Sequence, residues 1–326
     1  MRKKIAIIGG GIIGCLTAIK LKESGFEVLV VDKHQIGKES SWAGAGILFP
    51  LMPWNYLPKV YNLCTLASSY YENFSKKLHD TTGIDPEYKK TGMTLIPPYN
   101  KDEVIKWANS QNLPYEETFF QNTESIHLPS VAQIRSPRLM KSIKLFMQEM
   151  GINIIENTEL AGIDHKEGVV KKWPTKNNSF IEADYFVITS GAWTSNLKEN
   201  YKSKIYPVKG QMIQYKTSNL EIEKILYSND FYILQRKDGV VIAGSTIEEV
   251  GFNQAVNIDK KEALMRKAEE LIPDLANVEV ENHWAGFRPG TKENIPFIQK
   301  DDDYENVFIN SGHFRYGLTM APQSAE

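Results

Sequence analysis

The chain has 326 residues, of which 42% are apolar and 24% are charged, a balance typical of a globular protein that buries a sizeable core. Its formal net charge of −2 argues against a nucleic-acid-binding surface. The two cysteines, Cys15 and Cys64, follow no metal or redox spacing, and we predict no metal site. Glycines interrupt the apolar run near the N-terminus, and no stretch reaches the roughly 18 apolar residues that cross a bilayer. We therefore expect a cytoplasmic protein with neither a signal peptide nor an integral membrane segment.

The first predicted elements are a strand, a glycine turn, a helix and a second strand. Residues 4–8 are apolar and β-branched, and apolar residues then recur at helical spacing until Gly25. Residues 27–31 form the second apolar strand, which closes with Asp32. Asp32 lies 18 residues beyond Gly14, where an acidic side chain accepts hydrogen bonds from ribose hydroxyls.

The turn between strand and helix reads Gly-Gly-Gly-Ile-Ile-Gly. Gly9 permits the tight turn, Gly11 lets the backbone approach a pyrophosphate, and Gly14 lets the helix lie close to the sheet. The backbone N–H groups around Ile12 and Ile13 lie at the positive end of the helix dipole, which favours phosphate. The unit therefore predicts a dinucleotide site. It does not separate NAD from FAD, and a glycine turn without a ligand is the alternative.

A run of small residues follows the acidic residue. Backbone that passes close to a bulky, flat cofactor needs small side chains, although a plain flexible loop would have a similar composition. The next segment, residues 49–54, is apolar and could cap an active site, touch a membrane or simply pack in the core. We assign to the cofactor site Lys33, Ser40, Ser41, Ala43, Gly44, Ala45 and Gly46.

Further elements follow in chain order. We predict helices at residues 63–79, 101–110, 138–149 and 260–271. Strands are predicted at residues 92–96, 152–155, 160–164, 185–189, 207–215, 231–236 and 240–244. The continuous apolar strand at 185–189 is typical of a parallel sheet, whereas the strands after residue 205 are joined by short turns and indicate an antiparallel sheet.

These patterns predict two interleaved domains in an α/β fold. Residues 1–80, 130–205 and 284–326 are assigned to a discontinuous Rossmann-type domain. Residues 81–129 and 206–283 are assigned to a mainly antiparallel-sheet substrate domain.

Four stretches resemble the D-amino-acid oxidase family of flavoenzymes, most closely the glycine oxidases of thiamine biosynthesis. They are the glycine turn at 9–14, the Ala-Gly-Ala-Gly segment within 41–46, His-Trp-Ala-Gly-Phe-Arg-Pro-Gly-Thr at 283–291, and Ser-Gly-His-Phe-Arg-Tyr-Gly-Leu at 311–318. The resemblance spans nearly the whole chain. It implies FAD as the cofactor and a glutathione-reductase-like FAD/NAD(P)-binding fold.

The resemblance also implies roles for individual residues. Arg288 matches the carboxylate-binding arginine, whose guanidinium fork suits two carboxylate oxygens. Tyr232 matches the tyrosine on the substrate side, and Arg315 a position near substrate and flavin, with a structural ion pair as the alternative role. His313 is a tempting general base, although the family mechanism needs none. The implied cofactor contacts in the later part of the chain are Leu160, Gly191, Trp193, Gly312, His313, Arg315, Gly317 and Leu318.

Three departures from the family pattern affect these expectations. Tyr316 stands where a smaller polar residue is usual, and Ile247 stands where glycine oxidases often have methionine. Both changes bear on the substrate. In the family, the motif at Gly312 leads into a helix that faces the flavin, and the short segment after this motif predicts that this helix is missing here. Its loss would remove N–H donors and a favourable dipole from the flavin.

The expected activity is oxidative deamination of glycine, a small D-amino acid or a secondary amine, giving a 2-oxo acid and ammonia. With oxygen as acceptor the protein would be an oxidase that makes hydrogen peroxide, and with a quinone or another acceptor a D-amino-acid dehydrogenase. A catalytically impaired flavin-binding relative is the second hypothesis, motivated by the missing helix. The expected partner is a small-molecule substrate, and the pattern leaves a homo-oligomer open.

Overall fold

The computed structural model describes residues 2–163 and 168–326 of the chain. Its helices are α1 (Ile12–Glu23), α2 (Ser40–Ala43), α3 (Pro58–Asn62), α4 (Ala67–Thr82), α5 (Lys101–Ser110), α6 (Ser136–Glu149), α7 (Ile258–Leu271) and α8 (Gly317–Ser324). Its strands are β1 (Lys4–Ile8), β2 (Glu27–Val31), β3 (Lys89–Lys90), β4 (Met93–Leu95), β5 (Glu116–Phe120), β6 (Thr123–Leu128), β7 (Ala132–Gln133), β8 (Asn153–Ile155), β9 (Lys172–Pro174), β10 (Phe180–Glu182), β11 (Tyr185–Ile188), β12 (Tyr206–Lys216), β13 (Ile225–Ser228), β14 (Phe231–Gln235), β15 (Val240–Gly244), β16 (Val280–Gly290), β17 (Phe297–Lys300) and β18 (Val307–Ser311).

A six-stranded sheet carries the N-terminal unit. Its strand order is β17-β18-β11-β1-β2-β8, and all neighbours are parallel except the edge strand β17. The strands are continuous apolar runs because both faces are covered. One face packs against α1, α4 and α6, and the other buries Trp173 and Phe186. This layering confirms the predicted Rossmann-type arrangement and brings the glycine turn to the carboxyl edge of the sheet.

The second large sheet has eight strands and is mainly antiparallel. Its order is β16-β12-β15-β14-β13-β4-β6-β5, and only β13 and β4 run parallel. Strand β16 pairs with β12 along its length, from Tyr206 opposite Gly290 to Tyr215 opposite Val280. The boundary that the sequence placed at residue 284 therefore falls within this strand, so residues 284–290 pair with the antiparallel sheet. The predicted assignment of segments to domains stays a prediction.

Two sequence expectations about elements are wrong. Residues 160–163 do not form a strand: Leu160 makes only an isolated bridge to Thr175, and Asp164 lies outside the described residues. The helix expected to be missing after Gly312 is present as α8, which packs against α1 and α4. Its first residues, Gly317 and Leu318, supply a helical turn where we expected none. The sequence also gave no indication of the β5–β6 hairpin.

Candidate active site

A single cleft runs between the two sheets and brings most of the predicted site residues together. It begins at the glycine turn and ends at two arginines. Of the predicted residues, those that line it are Gly9, Gly11, Ile12, Ile13, Asp32, Lys33, Ser40, Ser41, Ala43, Gly44, Ala45, Gly46, Leu160, Gly191, Trp193, Tyr232, Arg288, His313, Arg315, Gly317 and Leu318. Gly14 and Gly312 are the two exceptions.

These two glycines are required by the geometry of the backbone. A Cβ atom on Gly14 would lie 1.9 Å from the Gly9 carbonyl oxygen, so only glycine lets the helix approach the strand this closely. Gly312 has a φ of 93°, in the left-handed region that favours glycine.

The start of α1 is built to receive an anion. Gly9 adopts a φ of 113°, and a Cβ atom there would lie 2.7 Å from the Thr189 carbonyl oxygen. Gly11 is the N-cap residue and has no side chain to accept the amides of the first turn. The Ile12 N–H donates to the Ser41 hydroxyl at 2.9 Å, which ties the small-residue segment to the helix N-terminus.

Asp32 and Lys33 lie at the opposite side of the turn. The Asp32 carboxylate accepts the Gly10 N–H at 2.6 Å and the His34 N–H at 2.7 Å. Burial raises the pKa of Asp32, and these two backbone bonds oppose the rise. The Lys33 ammonium lies 3.6 Å from the centre of the Trp193 ring. Both residues line the cleft, and their contacts to the cofactor stay a prediction.

The small-residue segment is fixed by contacts to distant parts of the chain. Gly46 has a φ of 75°, and a Cβ atom there would lie 1.9 Å from the Ile134 carbonyl oxygen. Arg236, which sequence reasoning missed, donates to the Ala45 carbonyl at 2.5 Å and to the Gln133 side-chain oxygen at 2.6 Å. Burial lowers the pKa of Arg236 to about 10, a value that still leaves the guanidinium charged at neutral pH. In the sequence, only the position of Arg236 at the end of an apolar strand could have indicated this role.

Arg288 lies on β16 and lines the cleft. Its guanidinium donates to the Ser245 hydroxyl at 2.5 Å and to the Thr246 carbonyl at 3.1 Å. Among the described residues, no carboxylate lies within ion-pair distance of it. Burial lowers the pKa of Arg288, as expected for a buried cation without an acidic partner. The guanidinium occupies the space where Gly210 on the neighbouring strand would carry a Cβ atom.

Two tyrosines border Arg288. Tyr232 is 8% exposed, and its hydroxyl lies 3.5 Å from the Met212 sulfur. The Tyr316 hydroxyl donates to the Leu51 carbonyl at 3.0 Å, and its ring meets the ring of Tyr56 edge-on. The phenol of Tyr316 is therefore held against the segment at 49–54, which narrows this end of the cleft.

Arg315 forms the ion pair that the sequence left open as an alternative. Its guanidinium donates to the Asp230 carboxylate at 2.8 Å. The Tyr227 hydroxyl donates to the same carboxylate oxygen at 2.9 Å. Sequence reasoning missed Asp230, because its partner lies 85 residues away along the chain.

His313 is buried beneath the cleft wall and is 1% exposed. One ring nitrogen lies 3.0 Å from the Ser324 hydroxyl at the end of α8. Burial lowers the pKa of His313 to about 3, so the imidazole is neutral at physiological pH. A base with so low a pKa has little driving force for taking a proton, which argues against the general-base role.

The apolar segment at 49–54 takes part in packing and in lining the cleft. Phe49 and Trp54 meet the ring of Trp107 at 6.0 and 5.7 Å between ring centres. Phe49 and Leu51 also line the cleft. In the parts of the chain that the structure describes, no helix is long and apolar enough to span a bilayer, and no cluster of acidic, histidine or cysteine side chains could hold a metal ion.

The parallel sheet, the glycine turn at a helix N-terminus and the cleft that leads to a buried arginine define a dinucleotide-dependent oxidoreductase. Residues 4–326 match the DAO family, described as FAD dependent oxidoreductase. The chain belongs to this family, and its cofactor is FAD.

Individual relatives agree with this assignment. The glycine oxidase of Pseudomonas putida is 33% identical over 341 residues, which cover 100% of this chain and 93% of that protein. Among solved structures, glycine oxidase from Bacillus cereus superimposes with a TM-score of 0.89 at 23% identity, covering 99% of this chain and 93% of that one. Iminodiacetate oxidase from Chelativorans sp. gives a TM-score of 0.84 at 21% identity, covering 98% and 93%. The two structural likenesses support the fold.

The residues of the cleft fit FAD. Small side chains form one wall from Ala43 to Gly46, where a flat ring system needs close approach of the backbone. The start of α1, where no N-cap side chain accepts the first-turn amides and only the Ile12 N–H is taken by Ser41, suits a pyrophosphate, and the Asp32 carboxylate suits a ribose. Gly9 and Gly11 line the same cleft as that carboxylate and the small-residue wall.

Proposed function

We propose that this chain catalyses the oxidative deamination of glycine, and of amino acids of similar size, with FAD as the electron acceptor. Glycine loses a hydride and a proton to become an imine, and water then hydrolyses the imine to glyoxylate and ammonia. When bound, FAD supplies the electron sink for the hydride. The chain itself has to bind the carboxylate, orient the α-carbon and exclude larger side chains.

The observation that carries this proposal is the environment of Arg288. Its buried guanidinium is held by the neutral oxygens of Ser245 and Thr246, with no carboxylate partner among the described residues. A buried charge without a counterion is unfavourable, and a substrate carboxylate would supply the missing negative charge. The bidentate fork would then fix the substrate at the end of the cleft where the small-residue wall begins.

The size of the substrate follows from the two tyrosines. Tyr232 is almost fully buried, and Tyr316 is held by the Leu51 carbonyl, so neither ring is free to swing out of the cleft. Their positions favour glycine and other small amines over amino acids with long side chains. Thiamine biosynthesis, which the sequence resemblance suggests, stays a prediction.

No side chain is assigned as a general base. His313 is neutral and lies beside the Ser324 hydroxyl, and an amine that enters in its neutral form needs no protein base for hydride loss. The presence of α8 removes the observation that motivated a catalytically impaired protein. We therefore retain the active oxidoreductase as the proposal.

An anaerobic reduction experiment tests the proposal. The purified holoenzyme is mixed without oxygen with glycine, sarcosine, D-alanine or D-proline, and the loss of flavin absorbance is recorded. Glycine should bleach the flavin, whereas glycinamide, which has the same size but no carboxylate, should do so far more slowly. Equal rates with glycine and glycinamide would refute the role of Arg288. Admission of oxygen then decides the acceptor, since an oxidase forms hydrogen peroxide and a dehydrogenase requires a quinone or dye.

A further inference from the structure

Asp230 lies at the substrate end of the molecule in a tight turn. The two-residue turn of Asn229 and Asp230 joins β13 to β14, and the two φ angles are 47° and 60°. Both are left-handed values, which a two-residue hairpin turn of this type requires and which Asn and Asp tolerate better than most residues. The turn places the Asp230 carboxylate two residues before Tyr232, which lines the cleft.

The carboxylate of Asp230 pairs with Arg315, which lines the cleft. The Arg315 guanidinium donates to it at 2.8 Å, and the Tyr227 hydroxyl donates to the same oxygen at 2.9 Å. The Arg315 side chain is 10% exposed and that of Asp230 is 54% exposed, so the pair lies at the rim with the arginine turned inward. The charge of Arg315 is thus compensated by the protein itself.

Arg288 and Arg315 line the same cleft, but they differ in whether a carboxylate of the protein already neutralises the guanidinium. Among the described residues, Arg288 has only neutral acceptors, whereas Arg315 has a carboxylate. Burial raises the pKa of Asp230, but the charge and hydrogen bond of Arg315 and the bond from Tyr227 outweigh burial and hold that pKa below its usual value. Asp230 is therefore ionised at neutral pH, and the described side chains leave one uncompensated guanidinium in the cleft.

We propose that Asp230 determines specificity by restricting the site to amines that carry a single carboxylate. This inference rests on the proposed function, in which Arg288 binds the substrate carboxylate. A second carboxylate on the substrate would reach the Arg315 side of the cleft. There it would have to separate Arg315 from Asp230 or lie beside the Asp230 carboxylate, and like charges at such distances repel. Without the Asp230 charge, Arg315 would offer a second carboxylate site.

Two substrates of nearly equal size separate the effect of a second negative charge from the effect of size. Iminodiacetate has one secondary amine and two carboxylates, and its monoamide, N-(carbamoylmethyl)glycine, replaces one carboxylate by a neutral amide. The wild-type holoenzyme should favour the monoamide in kcat/KM. Asp230→Asn should raise the ratio of iminodiacetate to monoamide about tenfold or more, the effect of removing one repulsive charge from a close contact. Asn suits this position because it tolerates a φ of 60° and keeps an oxygen acceptor for Tyr227.

A matched control removes a similar charge elsewhere. Asp238 pairs with Arg135 at 2.9 Å and lies in the turn after β14, away from the cleft. Asp238→Asn should leave the substrate ratio unchanged. An unchanged ratio in Asp230→Asn, or an equal change in both variants, would overturn the inference.

A binding measurement tests the same point without turnover and without a variant. Diglycolate and its monoamide are ether analogues that cannot be oxidised as amines, and their binding is followed by the change in flavin absorbance. The wild-type protein should bind the monoamide at least severalfold more tightly than diglycolate. Tighter binding of diglycolate would refute the role of Asp230 even if glycine reduces the flavin. Conversely, failure of glycine to reduce the flavin would refute the proposed function and leave this binding preference as a separate result.

Discussion

Gly210 provides the sharpest test of the Arg288 site, because the three atoms nearest to a methyl group there all belong to the Arg288 guanidinium. A Cβ atom on Gly210 would lie 2.3 Å from one terminal nitrogen of Arg288 and 2.5 Å from the central carbon of the guanidinium. Ordinary contact begins near 3.4 Å, so the guanidinium must withdraw by about 1.1 Å. The atoms that move are the far end of a flexible side chain, and Gly210 does not have a left-handed φ. The Gly210→Ala variant should therefore fold with a melting temperature close to that of the wild type.

The same displacement should impair catalysis. Loss of a buried charge contact to the substrate carboxylate weakens binding by about 2–5 kcal/mol, and about 2.8 kcal/mol corresponds to a 100-fold change. We expect Gly210→Ala to lower kcat/KM for glycine by about that factor, mainly through a higher KM, with flavin content and the anaerobic rate at saturation much less affected. The assay is steady-state and anaerobic stopped-flow kinetics with glycine, together with thermal unfolding of the holoenzyme.

Gly290→Ala is the matched control for crowding on the same pair of strands. A Cβ atom on Gly290 would lie 2.7 Å from the ring of Tyr206, at the far end of the β12–β16 pairing. This variant also adds one methyl group, but the nearest atoms to it belong to Tyr206 and Val208 rather than to Arg288. Its KM for glycine should stay near the wild-type value. A Gly210→Ala variant with a wild-type KM, or a KM raised equally by both changes, would refute the assignment of Arg288 as the carboxylate site.

Three further predictions follow from side chains described above. Arg288→Lys should raise the KM for glycine about 10-fold or more, because an ammonium cannot form the bidentate contact, and a wild-type KM would contradict this. The pKa of His313 is lowered to about 3, below its unfolded value of about 6.5, so its contribution to stability is lost as the pH falls below 6.5. In urea titrations, His313→Gln should therefore lose about 2 kcal/mol less free energy of unfolding than the wild type between pH 7 and pH 5, and equal losses in the two proteins would contradict this. Arg236→Met should lower the free energy of unfolding by about 2 kcal/mol, because the Ala45 carbonyl and the Gln133 side-chain oxygen lose their donors, and an unchanged urea midpoint would argue against this role.

The parts of the fold that the sequence predicted well are those with a strong local signal. The glycine turn, the helix behind it and the apolar strands at 27–31 and 185–189 each bury a continuous face, and the periodicity of their residues reports that directly. The hairpin of β5 and β6 has no such signal, because β5 is mostly exposed and carries Glu116 and Glu117. Its pairing to β4 depends on contacts that are distant in sequence.

Two errors arose because contacts with distant parts of the chain outweigh the local preference of a segment for helix or strand. Residues 160–163 are apolar enough for a strand, but no neighbouring strand offers them a continuous ladder, and only Leu160 finds a partner. Helix α8 was overlooked because Pro322 lies inside it and few residues follow the Gly312 motif. The buried face of α8, which packs against α1 and α4, stabilises a helix that local propensity disfavours.

In the site, the arginines within recognisable motifs could be predicted, but their partners could not. Asp230 and Arg236 have no motif of their own, and each acts on a residue far along the chain, Arg315 in one case and Ala45 in the other. One sequence does not reveal such pairs, because nothing local distinguishes a paired acid from a solvated one. The same holds for Gly210, whose role is visible only when the Arg288 guanidinium is seen in its place.

These distant contacts share a single strand. Strand β14 begins directly after Asp230, which is bonded to Arg315, and ends directly before Arg236, which is bonded to the Ala45 carbonyl. Both ends of the strand are therefore tied to residues that line the cleft, Arg315 at one end and Ala45 at the other. Tyr232 lies within the strand, so a shift of the antiparallel sheet relative to the small-residue wall would break a charged hydrogen bond at one end or the other. The residues that flank β14 thus fix this strand, and Tyr232 within it, against the segments that contain Ala45 and Arg315.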